Sequence, residues 1–194
     1  MKKRVKKYHI YIFRHGQTTF NRDRIFTGFK DAELTSLGFK QAKVIAKKLK
    51  NKKFQIAFYT RLIRSRQTLN PVLKYHKECR RLIKDNRMIE RSYGRLEGKS
   101  HESVIKKYGQ KKFNLWHRSF SARPPGGESF ADVEKRVKSF IKDLKKFMRK
   151  NKVNVVVSSH GNSIRLFRKI MEKLSRKQAC KLVIPYDNYY EYPV

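Results

Sequence analysis

Short apolar segments alternate along this chain with longer segments whose apolar residues recur at helical spacing. The short segments predict strands at residues 8–13, 56–59, 81–84, 153–157 and 189–192. Strands separated by helices favour a parallel sheet, because a parallel connection must cross back over the sheet and is usually a helix. We therefore predict an α/β fold with a mostly parallel central sheet and helices on both of its faces.

Several of the intervening segments carry the spacing and the end signals of helices. Thr35 and Ser36 can cap a first helix, whose apolar positions are Leu37, Ala42, Ile45, Ala46 and Leu49. A second helix is predicted from about Thr60 to the residue before Pro71, because proline disfavours helical backbone in the residue that precedes it. Another helix is predicted at about residues 162–173.

The longest predicted helix follows a clear break at residues 123–127, which read Arg-Pro-Pro-Gly-Gly. Ser129 and Asp132 have the spacing of a capping box, in which each side chain binds the backbone N–H of the other residue. The apolar stripe of this helix is Phe130, Val133, Val137, Phe140, Ile141, Leu144 and Phe147. A stripe of this length predicts a helix that packs against the sheet.

The charge of the chain is strongly basic. Its 194 residues suit one domain, predicted over residues 1–194, and include 50 Lys and Arg against 15 Asp and Glu, a formal net charge of +35. Such a surface attracts small phosphorylated metabolites and permits non-specific association with nucleic acids. Polyanion binding as the main function is the weaker interpretation, because the basic residues do not form a stripe with interleaved aromatic residues.

Other features of the sequence argue against a membrane or a secreted protein. No apolar segment is long enough to span a bilayer, and the basic residues before the first strand are not followed by the long apolar core of a signal peptide. Only Cys79 and Cys180 are present, so we expect no disulfide framework, a reducing compartment and a cytoplasmic location. His76 and Cys79 have helical spacing, but without further ligands nearby they predict no metal site. A homodimer is compatible with the sequence.

Two predicted strands lead into a histidine followed by glycine. The first ends in Arg14-His15-Gly16, and the second reaches His160-Gly161. In open α/β sheets, ligands bind at the carboxyl ends of the strands, so the two histidines indicate one shared site. The arginines near them favour an anion such as phosphate. They also favour the neutral imidazole, which is a competent nucleophile toward phosphorus.

The residues around the first histidine resemble a known signature. Residues 14–21, Arg-His-Gly-Gln-Thr-Thr-Phe-Asn, are similar to the signature of the histidine phosphatase superfamily, whose founding members are the cofactor-dependent phosphoglycerate mutases. Five further elements follow in the family's order: residues 26–29 with Leu34, Thr35 and Gly38; Thr60 with Arg64; residues 89–94 with Leu96 and Gly98; Trp116 with residues 118–120; and residues 160–165. The resemblance extends from about Tyr8 to Tyr192 and implies a phosphoglycerate mutase-like three-layer sandwich.

This resemblance implies a role for each matching residue. His15 would accept the phosphoryl group, His160 would donate to its oxygens, and Arg14 and Arg64 would hold them. Glu90 would act as the acid and base, and the chemistry also asks for such a group, because an alkoxide leaves poorly without a proton. The implied substrate-binding residues are Arg14, Asn21, Thr27, Gly28, Arg64, Glu90, Tyr93, His101, His117, Arg118, Gly161 and Asn162. From the residues alone, Tyr93 is equally well a buried aromatic and Arg118 a solvated cation.

The family includes both mutases and phosphatases, and one fold supports both. The Thr27-Gly28-Phe29 segment, residues 90–93 and residues 160–163 favour the mutase. Such an enzyme interconverts 3- and 2-phosphoglycerate through a phosphohistidine, with 2,3-bisphosphoglycerate as the primer and no metal. Its partner is then a small phosphorylated metabolite.

Some departures from the family pattern favour the alternative, a phosphatase that hydrolyses small phosphomonoesters. His117 stands where mutases usually carry an arginine, and His101 stands where they usually carry a lysine, although Lys99 is close in sequence. The connection from Arg118 to Gly126 is short, and the mutases' mobile tail after the last strand has no counterpart before Val194. A shorter cover over the site would admit water, which hydrolyses a phosphohistidine.

Overall fold

The computed structural model describes residues 7–194. The basic segment that we do not expect to be a signal peptide lies outside these residues except for Lys7. Among the described residues, five strands form one sheet: β1 (His9–Arg14), β2 (Ile56–Tyr59), β3 (Arg81–Lys84), β4 (Val155–Ser159) and β5 (Tyr189–Pro193). Their order in the sheet is β3-β2-β4-β1-β5. Only β5 runs antiparallel to its neighbour, so the predicted mostly parallel sheet is confirmed.

The helices cover both faces of this sheet. They are α1 (Thr19–Arg22), α2 (Ser36–Leu49), α3 (Ile63–Leu73), α4 (His101–Arg118), α5 (Phe130–Asn151), α6 (Gly161–Met171) and α7 (Arg176–Lys181). Tyr11 and Phe13 of β1 pack with α2 and α3, whereas Ile10 and Ile12 pack with α5 and α6. Alternate residues of one strand thus face opposite layers, and the three-layer sandwich is confirmed.

Helix α5 follows the predicted pattern closely. Ser129 is its N-cap, and the capping box with Asp132 is formed. The predicted stripe is buried except for Phe147, which packs half-buried at the margin of the same cluster. Full burial of each large apolar side chain contributes about 1.5–3 kcal/mol, so this stripe is a major source of stability. In α2, by contrast, Leu37 of the predicted apolar set is 48% exposed.

Helix α3 begins later and ends later than predicted, so the expected limits at Thr60 and before Pro71 are wrong. Thr60 stays outside the helix, and its backbone N–H donates to Ser65 Oγ at 3.2 Å. The first residue, Ile63, donates its N–H to Asp31 Oδ1 at 2.8 Å, which caps the helix from a distant loop. Pro71 lies near the helix end, where it removes only one of the helical hydrogen bonds.

Strand β4 is shifted by two residues from its predicted position and includes two serines. Ser158 and Ser159 are completely buried. The Ser158 hydroxyl donates to the Ser65 carbonyl at 2.7 Å, and the Ser159 hydroxyl donates to the Met88 carbonyl at 2.8 Å. Because both hydroxyls are satisfied, the strand continues through them at little cost.

The sequence analysis missed helix α4. Ser100 caps it by accepting a hydrogen bond from the Ser103 backbone N–H at 3.1 Å. Only Val104 and Phe113 of this helix are buried, and Gly109 interrupts it with a φ of 81°. An apolar pattern this sparse carries little helical signal. The described residues contain no helix that is both long enough and apolar enough to cross a membrane.

Candidate active site

The two histidines that follow β1 and β4 lie side by side. These strands are parallel neighbours, and Arg14 pairs in register with Ser159. The next residue of each strand therefore emerges at the same edge of the sheet. His15 and His160 are buried, and their ring centroids are 5.1 Å apart. The predicted shared position of the two imidazoles is observed.

One ring nitrogen of His15 is hydrogen-bonded to the backbone, and the other is free to act as a nucleophile. Its Nδ1 lies 2.8 Å from the Gly16 carbonyl oxygen. A carbonyl only accepts, so Nδ1 carries the proton and Nε2 of the neutral ring keeps its lone pair. Burial, and then the charges of Arg64 and Arg14, hold the pKa of His15 well below its ordinary value. The arginines act as the sequence analysis expected, but burial has the larger effect.

His160 is arranged in a complementary way. Its Nε2 lies 2.7 Å from the Thr60 hydroxyl oxygen. Its Nδ1 is buried and has no hydrogen-bond partner in the described part of the chain. Burial, with the charges of Arg64 and His15, holds the pKa of His160 well below its ordinary value. When the Thr60 hydroxyl donates to Nε2, Nδ1 carries the ring proton and can donate it to a ligand.

Arg14 and Arg64 bring positive charge to this pair. The Arg64 Nη1 and Nη2 atoms donate to the Lys30 and Gly28 carbonyl oxygens, each at 2.8 Å. Burial lowers the pKa of Arg64 to about 10, so it remains a cation at neutral pH. Arg14 donates through Nη1 to the Ile184 carbonyl at 3.0 Å and lies 3.9 Å over the Tyr186 ring.

Each of these arginines has a buried N–H donor that is not hydrogen-bonded within the described part of the chain. Among residues 7–194, neither Arg14 Nε nor Arg64 Nε has a hydrogen-bond partner, although both atoms are buried. A buried donor on a charged group is costly when it is unpaired. An oxyanion beside His15 would satisfy these donors together with His160 Nδ1. The site is therefore suited to an anion such as a phosphoryl group.

Glu90 supplies the carboxylate of the site. Its Oε1 accepts hydrogen bonds from the Arg91 and Asn162 backbone N–H groups, at 2.8 and 3.1 Å. Ligand atoms of Glu90, His15 and His160 all lie within 4.8 Å of one another. Histidine and glutamate side chains can ligate a metal ion, but the neighbouring arginines favour an anion over a divalent cation. The carboxylate is close enough to exchange a proton with an oxygen bound between the histidines.

A charged clamp fixes the backbone that carries Glu90. Arg136 of α5 pairs with the Glu128 carboxylate through two hydrogen bonds of 3.0 Å. The same guanidinium donates to the Arg87, Ile89 and Glu90 carbonyl oxygens at 2.8–3.0 Å. Five donor contacts from one planar group rigidify this irregular segment. The sequence analysis did not identify Arg136.

A cleft of about 320 Å³ lies at the same edge of the sheet. It is lined by all but one of the predicted substrate-binding residues, namely Arg14, Asn21, Thr27, Gly28, Glu90, Tyr93, His101, His117, Arg118, Gly161 and Asn162. The exception, Arg64, is buried and does not line the cleft. Gly28 has a φ of +52°, and a Cβ there would meet the Glu97 carboxylate, so glycine is required.

Tyr93 is both buried and part of the cleft. Its hydroxyl accepts a hydrogen bond from Asn162 Nδ2 at 3.3 Å. Its ring lies 4.6 Å from that of Phe26, in a small apolar cluster with residues of α4. The two interpretations of Tyr93, as a buried aromatic and as a residue of the site, are therefore both consistent with its position.

His101 and His117, which depart from the family pattern, lie at one end of the cleft with their ring centroids 5.2 Å apart. Burial, and then the charge of Arg118, lowers the pKa of His117 to about 3. Burial, with the charges of Arg24 and Arg118, also lowers the pKa of His101. Both rings are therefore neutral at pH 7. Arg118, Arg24 and Arg165 line the cleft and provide the positive charge there.

Comparison with known proteins assigns the family. The family model described as the histidine phosphatase superfamily (branch 1) matches residues 10–190. The chain belongs to this superfamily. A 2,3-bisphosphoglycerate-dependent phosphoglycerate mutase of Nitrobacter winogradskyi is 38% identical over 173 residues, which cover 87% of this chain and 83% of that protein. The histidine phosphatase assignment agrees with the resemblance seen in the sequence.

Solved structures of this fold include both a phosphatase and a mutase. A mycobacterial glucosyl-3-phosphoglycerate phosphatase has a TM-score of 0.82 and 23% identity, and covers 95% of this chain and 90% of its own. A phosphoglycerate mutase from Bacillus anthracis has a TM-score of 0.81 and 23% identity, and covers 97% and 88%. These likenesses confirm the fold. The family match and the 38% identical mutase identify the chain as a phosphoryl-transfer enzyme of the histidine phosphatase superfamily.

The sequence analysis missed several residues of this histidine phosphatase site. Arg24, Arg165 and Tyr186 line the cleft but were not predicted to bind substrate. Arg165 had a usable signal, because it stands three residues after Asn162 and thus on the same face of α6. Its Nη1 donates to Asn162 Oδ1 at 2.6 Å. Arg24 and Tyr186 lie in irregular segments, where the sequence carries no periodic signal.

We expect the stability of the protein to fall on acidification below about pH 6.5. His15, His117 and His160 have pKa values below the unfolded value, so the unfolded chain binds their protons first. Their stabilising contribution is complete above pH 6.5 and is lost as the pH falls toward their folded-state values. Each such group changes the free energy of unfolding by roughly 1.4 kcal/mol per pH unit in this range.

Urea unfolding at several pH values between 7.5 and 5 tests this expectation. His117→Gln should reduce the slope of unfolding free energy against pH by about one proton. An unfolding free energy that does not change between pH 7.5 and 5 would contradict the assignment of neutral buried histidines.

Proposed function

We propose that this chain is a 2,3-bisphosphoglycerate-dependent phosphoglycerate mutase, which interconverts 3- and 2-phosphoglycerate through a phosphohistidine at His15. The observation that carries the proposal is the pairing of His15 Nδ1 with the Gly16 carbonyl, which leaves Nε2 as a nucleophile. This nitrogen belongs to a site with three buried donors, on Arg14, Arg64 and His160, that have no partner within residues 7–194. That arrangement suits the oxygens of a transferring phosphoryl group.

The proposed mechanism assigns one task to each group. His15 Nε2 attacks phosphorus, and the P–O bond of the ester breaks as the P–N bond forms. Arg14, Arg64 and His160 Nδ1 donate to the non-bridging oxygens, where negative charge accumulates. Glu90 gives a proton to the leaving alkoxide and recovers one from the hydroxyl that attacks the phosphohistidine. The Arg136 and Glu128 clamp positions this carboxyl group.

The donor set also suits the proposed primer. When bound, bisphosphoglycerate would supply a phosphoryl group to His15 before the first turnover. Its reacting phosphate would lie against Arg14, Arg64 and His160, whose unpaired donors fit an oxyanion. The other end would lie against Asn162, Tyr93 and Arg118 in the cleft. The mutase named among the relatives is also dependent on 2,3-bisphosphoglycerate.

The neutral histidines at the far end of the cleft favour a second candidate function, that of a phosphatase. His101 and His117 bring no charge to the far end of the cleft, because burial lowers the pKa of each. A weaker hold on the intermediate would let the product leave before it receives the phosphoryl group on its other oxygen. Water would then take the phosphoryl group, and the chain would act as a phosphatase on small phosphomonoesters.

Parallel assays of 3-phosphoglycerate isomerisation and of phosphate release distinguish the two functions. With saturating 2,3-bisphosphoglycerate, we expect isomerisation to exceed phosphate release at least about tenfold, since the mutase keeps the intermediate bound. Omission of the primer should slow isomerisation, and a chelator should not. His117→Arg, which restores the arginine usual in mutases, should increase the ratio. Phosphate release faster than isomerisation would overturn the mutase and support the phosphatase.

A further inference from the structure

A second basic pocket opens beside the cleft. This groove has a volume of about 550 Å³, lies between Phe120 and the surface of α7, and shares Arg118 and Val183 with the cleft. Its lining includes Arg176 and Lys177 but no acidic residue among those described. The groove therefore adjoins the cleft at one cationic and one apolar side chain, Arg118 and Val183.

The groove combines exposed apolar surface with unpaired cations. Val183 is 80% exposed, which is unusual for a branched apolar side chain, and it lies between the two pockets. The Arg176 guanidinium lies 5.1 Å from the Phe120 ring. In the described part of the chain, no carboxylate forms a salt bridge with Arg118, Arg176 or Lys177.

Positive charge also reaches the wall of the groove from inside the protein. Arg91 is completely buried, and its Nε and Nη1 atoms have no partner among the described residues. Burial raises the pKa of the Cys180 thiol, which lines the groove, and the charges of Arg165, Arg91 and Arg118 oppose this rise. A cluster of cations next to apolar surface complements an acid with an apolar stem.

We propose that this groove is a second subsite for a phosphorylated carboxylic acid longer than phosphoglycerate. The phosphate occupies the histidine site, an apolar stem crosses Val183, and the distal carboxylate pairs with Arg176 and Lys177. This inference relies on phosphoryl transfer to His15 and adds a further activity to the mutase, the hydrolysis of such esters.

The added reaction uses the same groups with water as the second acceptor. The ester P–O bond breaks as the P–Nε2 bond forms at His15, and the alkoxide takes its proton from Glu90. A water oxygen then attacks phosphorus, the P–N bond breaks, and the water proton passes to Glu90. The products are inorganic phosphate and the free hydroxy acid.

A series of ω-phosphonooxy alkanoates of four to ten carbons tests the subsite. Each acid is compared with the n-alkyl phosphate of the same length, which lacks the carboxylate, and phosphate release is measured. We expect kcat/KM for the acid to exceed that for the alkyl phosphate by at least about tenfold once the stem spans Val183, since a charge-assisted pair contributes roughly this factor. Measurable phosphate release with equal kcat/KM for the acid and the alkyl phosphate at every length would overturn the proposal.

Variants separate the groove from the general positive charge of the protein. The double variant Arg176→Gln and Lys177→Gln should lose the preference for the acid while it retains turnover of the alkyl phosphate. The control Lys142→Gln and Lys146→Gln removes the same charge from exposed positions on α5 and should keep the preference. Equal loss in both variants would assign the effect to long-range attraction and overturn the subsite.

Cysteine protection provides a measurement that needs no turnover. Alkylation of Cys180 by iodoacetamide should slow in the presence of 8-phosphonooxyoctanoate but not octyl phosphate, whereas alkylation of Cys79 should not change. Protection of Cys180 without any phosphate release would retain the subsite and reject the proposed hydrolysis of these esters. Absence of selective protection would reject the subsite even if the enzyme is an active mutase.

Discussion

His15→Ala should reduce 3-phosphoglycerate isomerisation by at least about 10⁴-fold, because the variant has no atom that can form the covalent intermediate. The thermal unfolding temperature should stay within a few degrees of the parent value. His15 follows β1 at the sheet edge and belongs to none of the apolar clusters that the described residues form. The measurement is the coupled isomerisation rate, with thermal unfolding followed in parallel.

A histidine elsewhere on the same strand provides the control. His9 lies at the start of β1 and pairs with Glu191 at 2.7 Å, away from the cleft. His9→Ala should retain isomerisation within about threefold, because His9 touches neither the reacting groups nor the cleft lining. Turnover of His15→Ala within about tenfold of the parent would reject the covalent mechanism.

Glu90→Gln should slow 3-phosphoglycerate turnover by about 10²–10⁴-fold but p-nitrophenyl phosphate hydrolysis by less than tenfold, because only the alkoxide leaving group needs a proton. The glutamine oxygen can still accept the Arg91 and Asn162 backbone hydrogen bonds that Glu90 accepts. The substitution therefore removes proton transfer with little change in structure. Steady-state kinetics with both substrates measure the difference.

Glu97 is a carboxylate outside the proposed reacting groups and provides the control for Glu90. Its Oε1 accepts from the Ser92 hydroxyl and the Tyr93 backbone N–H, each at 2.9 Å. Glu97→Gln should change the rates for the two substrates by similar factors, since a structural defect does not depend on the leaving group. A Glu90→Gln variant that slows both substrates equally would assign Glu90 a structural role.

The positions of the two histidines could be predicted because the signals are local. Each histidine follows a short apolar strand, and parallel neighbours place their carboxyl ends together. The tautomer of His15 could not be predicted, because it depends on the distance from Nδ1 to the Gly16 carbonyl. The dominance of burial over arginine charge in lowering its pKa also required the folded structure.

Errors in the predicted elements have physical causes that lie outside the local sequence. The start of α3 is set by Asp31, a residue more than thirty positions earlier in the chain. Strand β4 extends through Ser158 and Ser159 because distant carbonyl groups accept hydrogen bonds from their hydroxyls. Arg136 escaped prediction for the same reason, since its partners belong to a different segment of the chain.

The residues that line the cleft could also be predicted only in part from the sequence. Family resemblance identified residues such as Tyr93 and Arg118 that line it, whereas Arg24 and Tyr186 come from irregular segments. The family resemblance also indicated that His101 and His117 stand where mutases usually carry basic residues. That both rings are neutral follows from their burial, which only the fold reveals.

Trapping of the phosphorylated enzyme tests the central claim most directly. The protein would be incubated with 2,3-bisphosphoglycerate labelled with ³²P, denatured in alkali and digested, and the labelled peptide would be identified by mass spectrometry. The account predicts a label that is stable in base, labile in acid and located on His15, and absent from His15→Ala. A label on another residue, or turnover without any phosphorylated protein, would contradict it.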